Sequence, residues 1–118
     1  MTRVLVVDDD PKFRELACRI LNAGGLSVVG EAESIQAAGA AAGELRPDAV
    51  LLDVMLPDGD GVAFARELAA LPWSPRVVLT SSYADATSED EIGLNGAVAF
   101  VPKQELPTAP LNRLLEGP

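Results

Sequence analysis

Ala49-Val50-Leu51-Leu52-Asp53 is an unbroken apolar run ending in a carboxylate, with Pro47 just before it and Pro57 just after it. The span between the two prolines is too short for a helix of ordinary length. A short apolar run bounded by turn signals predicts a strand covered on both faces. Such strands fill the middle of parallel α/β sheets, where function collects at the carboxyl ends. Asp53 stands at that end. The stretch that follows, Val54-Met55-Leu56-Pro57-Asp58-Gly59-Asp60-Gly61, reads as a loop running into a helix start, with Asp58 and Asp60 as turn residues.

Outward from this strand the same grammar repeats. Val4-Leu5-Val6-Val7 predicts another buried strand and ends in Asp8-Asp9-Asp10. Pro11 then suits the first position of a helix capped by Asp10. Phe13, Leu16, Ala17, Ile20 and Leu21 recur at helical spacing and define its inward face, and Gly24-Gly25 ends it. Leu26 to Ala32 is a weaker strand. Ser34 caps an alanine-rich helix reaching about Leu45, interrupted by Gly39 and Gly43.

Beyond the central strand, Val62 to Leu71 predicts a helix with Phe64, Leu68 and Leu71 inward. Arg76 to Thr80 is the fourth strand. Ala97 to Val101 is the fifth, and Pro102 marks it as an edge strand, since proline cannot donate to a ladder. Between them, Ser81 to Asn95 is polar and acidic, with Ile92 and Leu94 its only large aliphatics, and predicts at most a short helix. Pro107 and Pro110 bracket a turn before a short final helix, Leu111 to Glu116. Strands alternating with helices predict an α/β fold: a single doubly wound five-stranded parallel sheet with helices on both faces. Residues 1–118 read as one domain, without linker, repeat or output domain.

Composition narrows the function. With 118 residues, 48% hydrophobic and 23% charged, the chain suits one core. A net charge of -9 with no basic stripe argues against nucleic acid as a partner and points to a cation or a partner with a basic face. The absence of histidine removes the usual general base and metal ligand. Cys18, the single cysteine, excludes an intrachain disulfide and is expected as a buried small hydrophobe. The Val4 to Val7 run is too short for a signal-peptide core, and no run reaches membrane-spanning length. A cytoplasmic location is the expectation.

In a parallel sheet the carboxyl ends of all strands point to one edge. Asp8 and Asp9, Asp53, Thr80 and Lys103 therefore converge there. Three clustered carboxylates repel unless a cation or proton intervenes. Hard oxygen ligands without histidine or thiolate suit Mg²⁺. Lys103 can pair with a carboxylate or a phosphoryl oxygen, and only Lys12 and Lys103 are lysines, against seven arginines.

This set resembles the receiver domain of bacterial two-component response regulators. The motifs that carry it are Val4 through Pro11, Leu52 through Gly61, Val78-Leu79-Thr80-Ser81, and Gly96-Ala97 through Phe100 to Lys103. The resemblance covers the whole chain and implies the flavodoxin-like strand order 2-1-3-4-5. It implies Asp53 as the phosphoacceptor. Asp8 and Asp9 would hold Mg²⁺ together with Asp53 and the backbone carbonyl of Met55. Thr80 and Lys103 would contact the phosphoryl group, and Phe100 matches the aromatic switch position. The implied donor is a phosphohistidine on a sensor histidine kinase or phosphotransfer protein. The implied output is a downstream effector or a homodimer, without direct contact to nucleic acid or membrane. Catalysis would be confined to the domain's own phosphorylation and dephosphorylation.

The chemistry agrees with the residue types. A carboxylate attacks phosphorus to give an acyl phosphate, and phosphoryl transfer is mostly positioning and charge neutralisation. Two other readings compete. One is a pseudo-receiver, a protein-binding module that keeps the fold without being phosphorylated; it would be favoured by a missing acid, threonine or lysine, and none is missing. The other is a phosphohydrolase of the haloacid dehalogenase type, which needs a second acid two residues after the nucleophile, where Met55 stands. One departure from the receiver pattern is plain. Gln104 follows Lys103 where the family usually has a proline after a cis peptide. A non-proline cis bond costs about 3 kcal/mol, so a trans bond is predicted.

Overall fold

The computed structural model describes residues 1–82 and 96–117. In chain order the elements are β1 (Arg3–Val7), α1 (Pro11–Ala23), β2 (Ser27–Ala32), α2 (Ile35–Leu45), β3 (Ala49–Asp53), β4 (Met55–Leu56), β5 (Gly59–Asp60) and α3 (Gly61–Ala69). After these come β6 (Arg76–Ser81), β7 (Ala99–Pro102), a 3₁₀ helix (Lys103–Thr108) and a last helix, α4 (Leu111–Glu116). The segment expected to hold at most a short helix lies, at 83–95, outside the described residues.

β3 is the centre, and all five of its residues are buried. It pairs in parallel with β1, Val4 opposite Ala49 and Val7 opposite Leu52, and with β6, Asp53 opposite Thr80. β2 flanks β1 and β7 flanks β6, which gives the order β2-β1-β3-β6-β7. With the small antiparallel β4–β5 hairpin set aside, this is the predicted 2-1-3-4-5 order. β7 is an edge strand, and Pro102 stands at its end, paired with Ser81.

The apolar runs lack alternation because both faces of the sheet are covered. Leu5, Val7, Val50, Leu52, Val77 and Leu79 pack with Ala38 and Ala42 of α2 and with Phe64, Ala65 and Leu68 of α3. Val4, Val6, Ala49, Leu51, Val78 and Val101 pack with Phe13, Ala17 and Leu21 of α1 and with Leu111 and Leu115 of α4. A central residue such as Leu51 is fully enclosed, and its truncation to alanine should cost roughly 2–5 kcal/mol through lost transfer energy and the cavity left behind.

The helix starts follow capping chemistry. Asp10 accepts from the Lys12 amide with Pro11 at the first helical position, and Ser34 accepts from the Ala37 amide. Several details differ from the sequence reading. Leu16 is 45% exposed, because it points away from the sheet. Cys18 is only half-buried, at the margin of the second core. The stretch after Asp53 is a tight hairpin rather than an irregular loop, and Asp60 is the N-cap of α3, accepting from the Val62 amide. The last strand begins at Ala99, two residues later than expected, and the turn before α4 is a six-residue 3₁₀ helix. No described peptide bond is cis, so Lys103–Gln104 is trans as expected. Among the described residues no helix is long and apolar enough to cross a membrane.

Candidate functional site

Strand periodicity aims the site. Asp8 stands two residues beyond Val6, Asp53 two beyond Leu51, Thr80 two beyond Val78 and Lys103 two beyond Val101. Those four apolar residues all belong to the core under α1 and α4. With side chains alternating along each strand, the four chemistry-bearing residues emerge on that same side, at the carboxyl edge. Register completes the placement, since Asp53 is directly opposite Thr80 and Thr80 opposite Val101.

The acids converge as predicted. Asp8, Asp9 and Asp53 each offer a carboxylate oxygen, and these oxygens lie within 4.8 Å of one another. Asp8 and Asp53 are buried, whereas Asp9 is exposed. The Lys103 ammonium bridges the buried pair, 2.6 Å from Asp8 Oδ2 and 3.4 Å from Asp53 Oδ2. It also lies 4.2 Å above the Phe13 ring, a cation–π contact from α1. Asp8 Oδ1 accepts from the Asp10 amide at 2.9 Å, and Asp53 Oδ1 from the Met55 amide at 3.1 Å. A cleft of about 290 Å³ opens above, lined by Asp9, Asp10, Asp53, Met55, Ser81, Ser82 and Lys103.

Burial pushes the Asp53 carboxyl up to about 6, reinforced by the Asp8 charge and opposed by the Met55 amide and Lys103. Burial alone would pull Lys103 down, but its hydrogen bond to Asp8 and the charges of Asp53 and Asp8 more than offset this, so it titrates above an ordinary lysine. At neutral pH the site therefore presents an ionised Asp53 beside a charged Lys103.

Thr80 is fully buried, and its hydroxyl has no hydrogen-bond partner among the described residues. A buried hydroxyl without a partner is costly. Met55 is 58% exposed at the mouth of the cleft. Phe100 is partly buried opposite Leu79 and packs against the core under α2 and α3, on the other face of the sheet from the acids.

Several supporting residues escaped the sequence reading. Arg14 donates from Nη1 to the Asp8 carbonyl at 2.6 Å and from Nε to Glu31 at 3.1 Å, which fixes the end of β1. Only the placement of an arginine in the first turns after the acid pair hinted at it. Phe13 was legible as core but not as the face beneath Lys103. Asp58, expected as a turn residue, also accepts from the Ile35 and Gln36 amides, which hold its carboxyl below the usual range. Cys18 is no candidate nucleophile, because burial and then Glu31 raise its thiol pKa.

Residues 4–114 match the family described as response regulator receiver domain, and the chain belongs to that family. Over 109 residues, 91% of this chain, it is 35% identical to protein-glutamate methylesterase/protein-glutamine glutaminase 3 of Hahella chejuensis, of which the match covers 31%. Over 87% of the chain it is 40% identical to the DNA-binding transcriptional activator DevR/DosR of Mycobacterium tuberculosis, covering 48% of that protein. The chain thus spans a third to a half of these curated relatives. Among solved structures, it resembles the signal receiver domain of the putative response regulator NarL from Mycobacterium tuberculosis, with a TM-score of 0.80 and 32% identity over 99% of this chain and 98% of that one. The response regulator domain of Thermotoga maritima CheB superposes with a TM-score of 0.83 at 26% identity, over 100% of this chain and 98% of that one. Fold and family together define a signalling receiver of the two-component type.

Proposed function

We propose that Asp53 accepts a phosphoryl group from the phosphohistidine of a sensor histidine kinase or phosphotransfer protein, in a Mg²⁺-dependent transfer that switches a partner-binding surface. The observation that carries this reading is the cluster at the sheet edge, where three carboxylates meet and one lysine bridges the two buried ones.

The donor set fits the ion. Asp8, Asp9 and Asp53 supply oxygens alone, close enough to share one cation, and the Met55 carbonyl is the fourth candidate. When bound, Mg²⁺ would neutralise charge between the acceptor carboxylate and the phosphoryl oxygens. The residues themselves do the rest. An oxygen of ionised Asp53 attacks phosphorus, an O–P bond forms and the P–N bond of the donor breaks, leaving the electron pair on the imidazole nitrogen. Lys103 turns from the carboxylates toward the new phosphoryl oxygens. The Thr80 hydroxyl, unpartnered among the described residues, donates to the same group. Hydrolysis of the acyl phosphate resets the site, and the chain acts on no other substrate.

The signal leaves through Thr80 and Phe100, which lie on the adjacent strands β6 and β7. Drawing Thr80 toward the phosphoryl group biases the edge of the sheet, and Phe100 responds by repacking. The surface so altered would engage a downstream effector or a second copy of the chain. Residues 1–118 act as one receiver domain in the cytoplasm.

Treating the protein with acetyl phosphate and Mg²⁺ should add one phosphoryl group, seen by intact mass. Equal labelling of Asp53→Asn and the parent would refute Asp53 as the acceptor. No labelling of the parent would favour a receiver fold that works without phosphorylation.

A further inference from the structure

We propose that Asp58 is a positioning residue for the site: it latches the β4–β5 hairpin onto the first turn of α2 and so holds the Met55 main chain against Asp53. This deepens the reading above and rests on it for the metal alone.

The first amides of an α-helix have no partners within it. In α2 the work is divided between two side chains. Ser34, the local cap, takes the Ala37 amide at 3.1 Å. The two amides before it go to a residue more than twenty positions away, with Ile35 N donating to Asp58 Oδ1 at 2.8 Å and Gln36 N to Asp58 Oδ2 at 3.0 Å. Both carboxylate oxygens are engaged, so the carboxylate is fixed in plane as well as in place. A negative group also suits the positive end of the helix dipole.

A second contact makes the seat specific. A Cβ added at Gly59 would fall 2.8 Å from Ile35 Cδ1, so the hairpin lies directly on the side chain whose amide Asp58 holds. The hairpin is only two residues per strand, Met55 with Asp60 and Leu56 with Gly59. So small a ladder is marginal in water and needs an anchor. Its first residue is the one that matters chemically. The Met55 amide donates to Asp53 Oδ1, and the Met55 carbonyl is the main-chain candidate for the metal. The Asp58 carboxylate is engaged by the Ile35 and Gln36 amides rather than by Asp53 or the cleft lining, so its effect runs through the hairpin.

A merely structural role is separable because the Ser34 hydroxyl caps the same helix through the Ala37 amide, a bond made within the α2 start itself. Amide exchange in the metal-free protein should show the Met55 amide roughly tenfold faster in Asp58→Ala, the change a lost cap bond of ordinary strength produces. Asp58→Asn, which keeps one acceptor oxygen, should fall between and serves if the alanine variant folds poorly. Ser34→Ala should fray α2 and leave Met55 as in the parent. Unchanged exchange at Met55 in Asp58→Ala, or equal acceleration in Ser34→Ala, would overturn the latch. Titration with Mg²⁺ is the second arm, expected to weaken by roughly the same factor in Asp58→Ala and not in Ser34→Ala. Equal Mg²⁺ affinity in Asp58→Ala and the parent would overturn the claim that the latch serves the site. A parent that takes up no Mg²⁺ would instead refute the proposed function, while the exchange arm would still judge the latch.

Discussion

The Lys103 ammonium stands 2.6 Å from Asp8 and 3.4 Å from Asp53, so the lysine leans on the acid that follows β1 rather than on the one that ends β3. Asp8 is fully buried, and Lys103 is the only counter-charge within ion-pair distance of it among the described residues. The lysine is thus a structural partner of Asp8 as well as a candidate ligand for a phosphoryl group at Asp53.

Removing that partner should be costly. Lys103→Met leaves a buried, unpaired carboxylate, and such losses run to about 3 kcal/mol or more. Urea melts of the metal-free protein should show the drop. Adding Asp8→Asn to Lys103→Met should recover most of it, since the orphaned charge is then gone. Additive losses in the double variant would contradict the coupling.

Mg²⁺ should stabilise the fold, because the acids meet only in the native state. At ten times its dissociation constant, a ligand of the native state adds about 1.4 kcal/mol. Thermal melts should rise with Mg²⁺ for the parent. Asp9→Ala removes the exposed acid without disturbing the core and should lose most of the rise. A rise of the same size in Asp9→Ala would exclude that residue from the metal shell.

The Asp53 carboxyl, raised to about 6, ties stability to pH. A group whose pKa is higher folded than unfolded stabilises fully below the unfolded value, near 4 for aspartate, and loses that contribution as pH rises through the folded value. The metal-free protein should therefore lose the Asp53 contribution between pH 4 and about 6. Asp53→Asn should melt higher than the parent at pH 7, with the gap closing as pH falls toward 4. Asp58, held low, acts with the opposite sign, its contribution fading only as pH drops below the ordinary carboxylate range. A gap that stayed constant with pH would show that Asp53 is not the titrating group.

Glycines separate free space from necessity. A Cβ at Gly39 or Gly43 of α2 would meet nothing within 4 Å, beside a small apolar groove shared with α3. Gly39→Ala and Gly43→Ala should each stabilise by roughly 0.5–1 kcal/mol through helix propensity and a less flexible unfolded chain. At Gly61 a Cβ would lie 2.1 Å from the Asp53 carbonyl oxygen. Gly61→Ala should destabilise the protein and displace the end of β3. Denaturation midpoints of the three variants test the contrast.

Much was legible in the chain because the signals are local. The unbroken run Ala49 to Asp53 announces a strand buried on both faces, and its position between β–α units places it in a parallel sheet. Once the sheet is parallel, every strand end faces one edge, so Asp8, Asp9, Asp53 and Lys103 had to meet there. Asp10, Pro11 and Ser34 could be read as helix starts because capping involves residues only two or three apart.

What remained hidden depends on contacts between residues distant in sequence. Leu16 follows the helical pattern yet is exposed, because how much of α1 the sheet covers is set by packing rather than by periodicity. Phe100 is aromatic at the expected position, but only strand register shows it facing the α2–α3 core. Arg14 reaches the Asp8 carbonyl, and Asp58 reaches the amides of α2 across 22 and 23 positions, through hydrogen bonds that no spacing rule encodes. The order of elements and the identity of the acids were thus determined by the sequence, through periodicity and chain order. Which acid the lysine leans on, and what holds the site loop in place, were decided only when the folded chain brought those groups within hydrogen-bond distance.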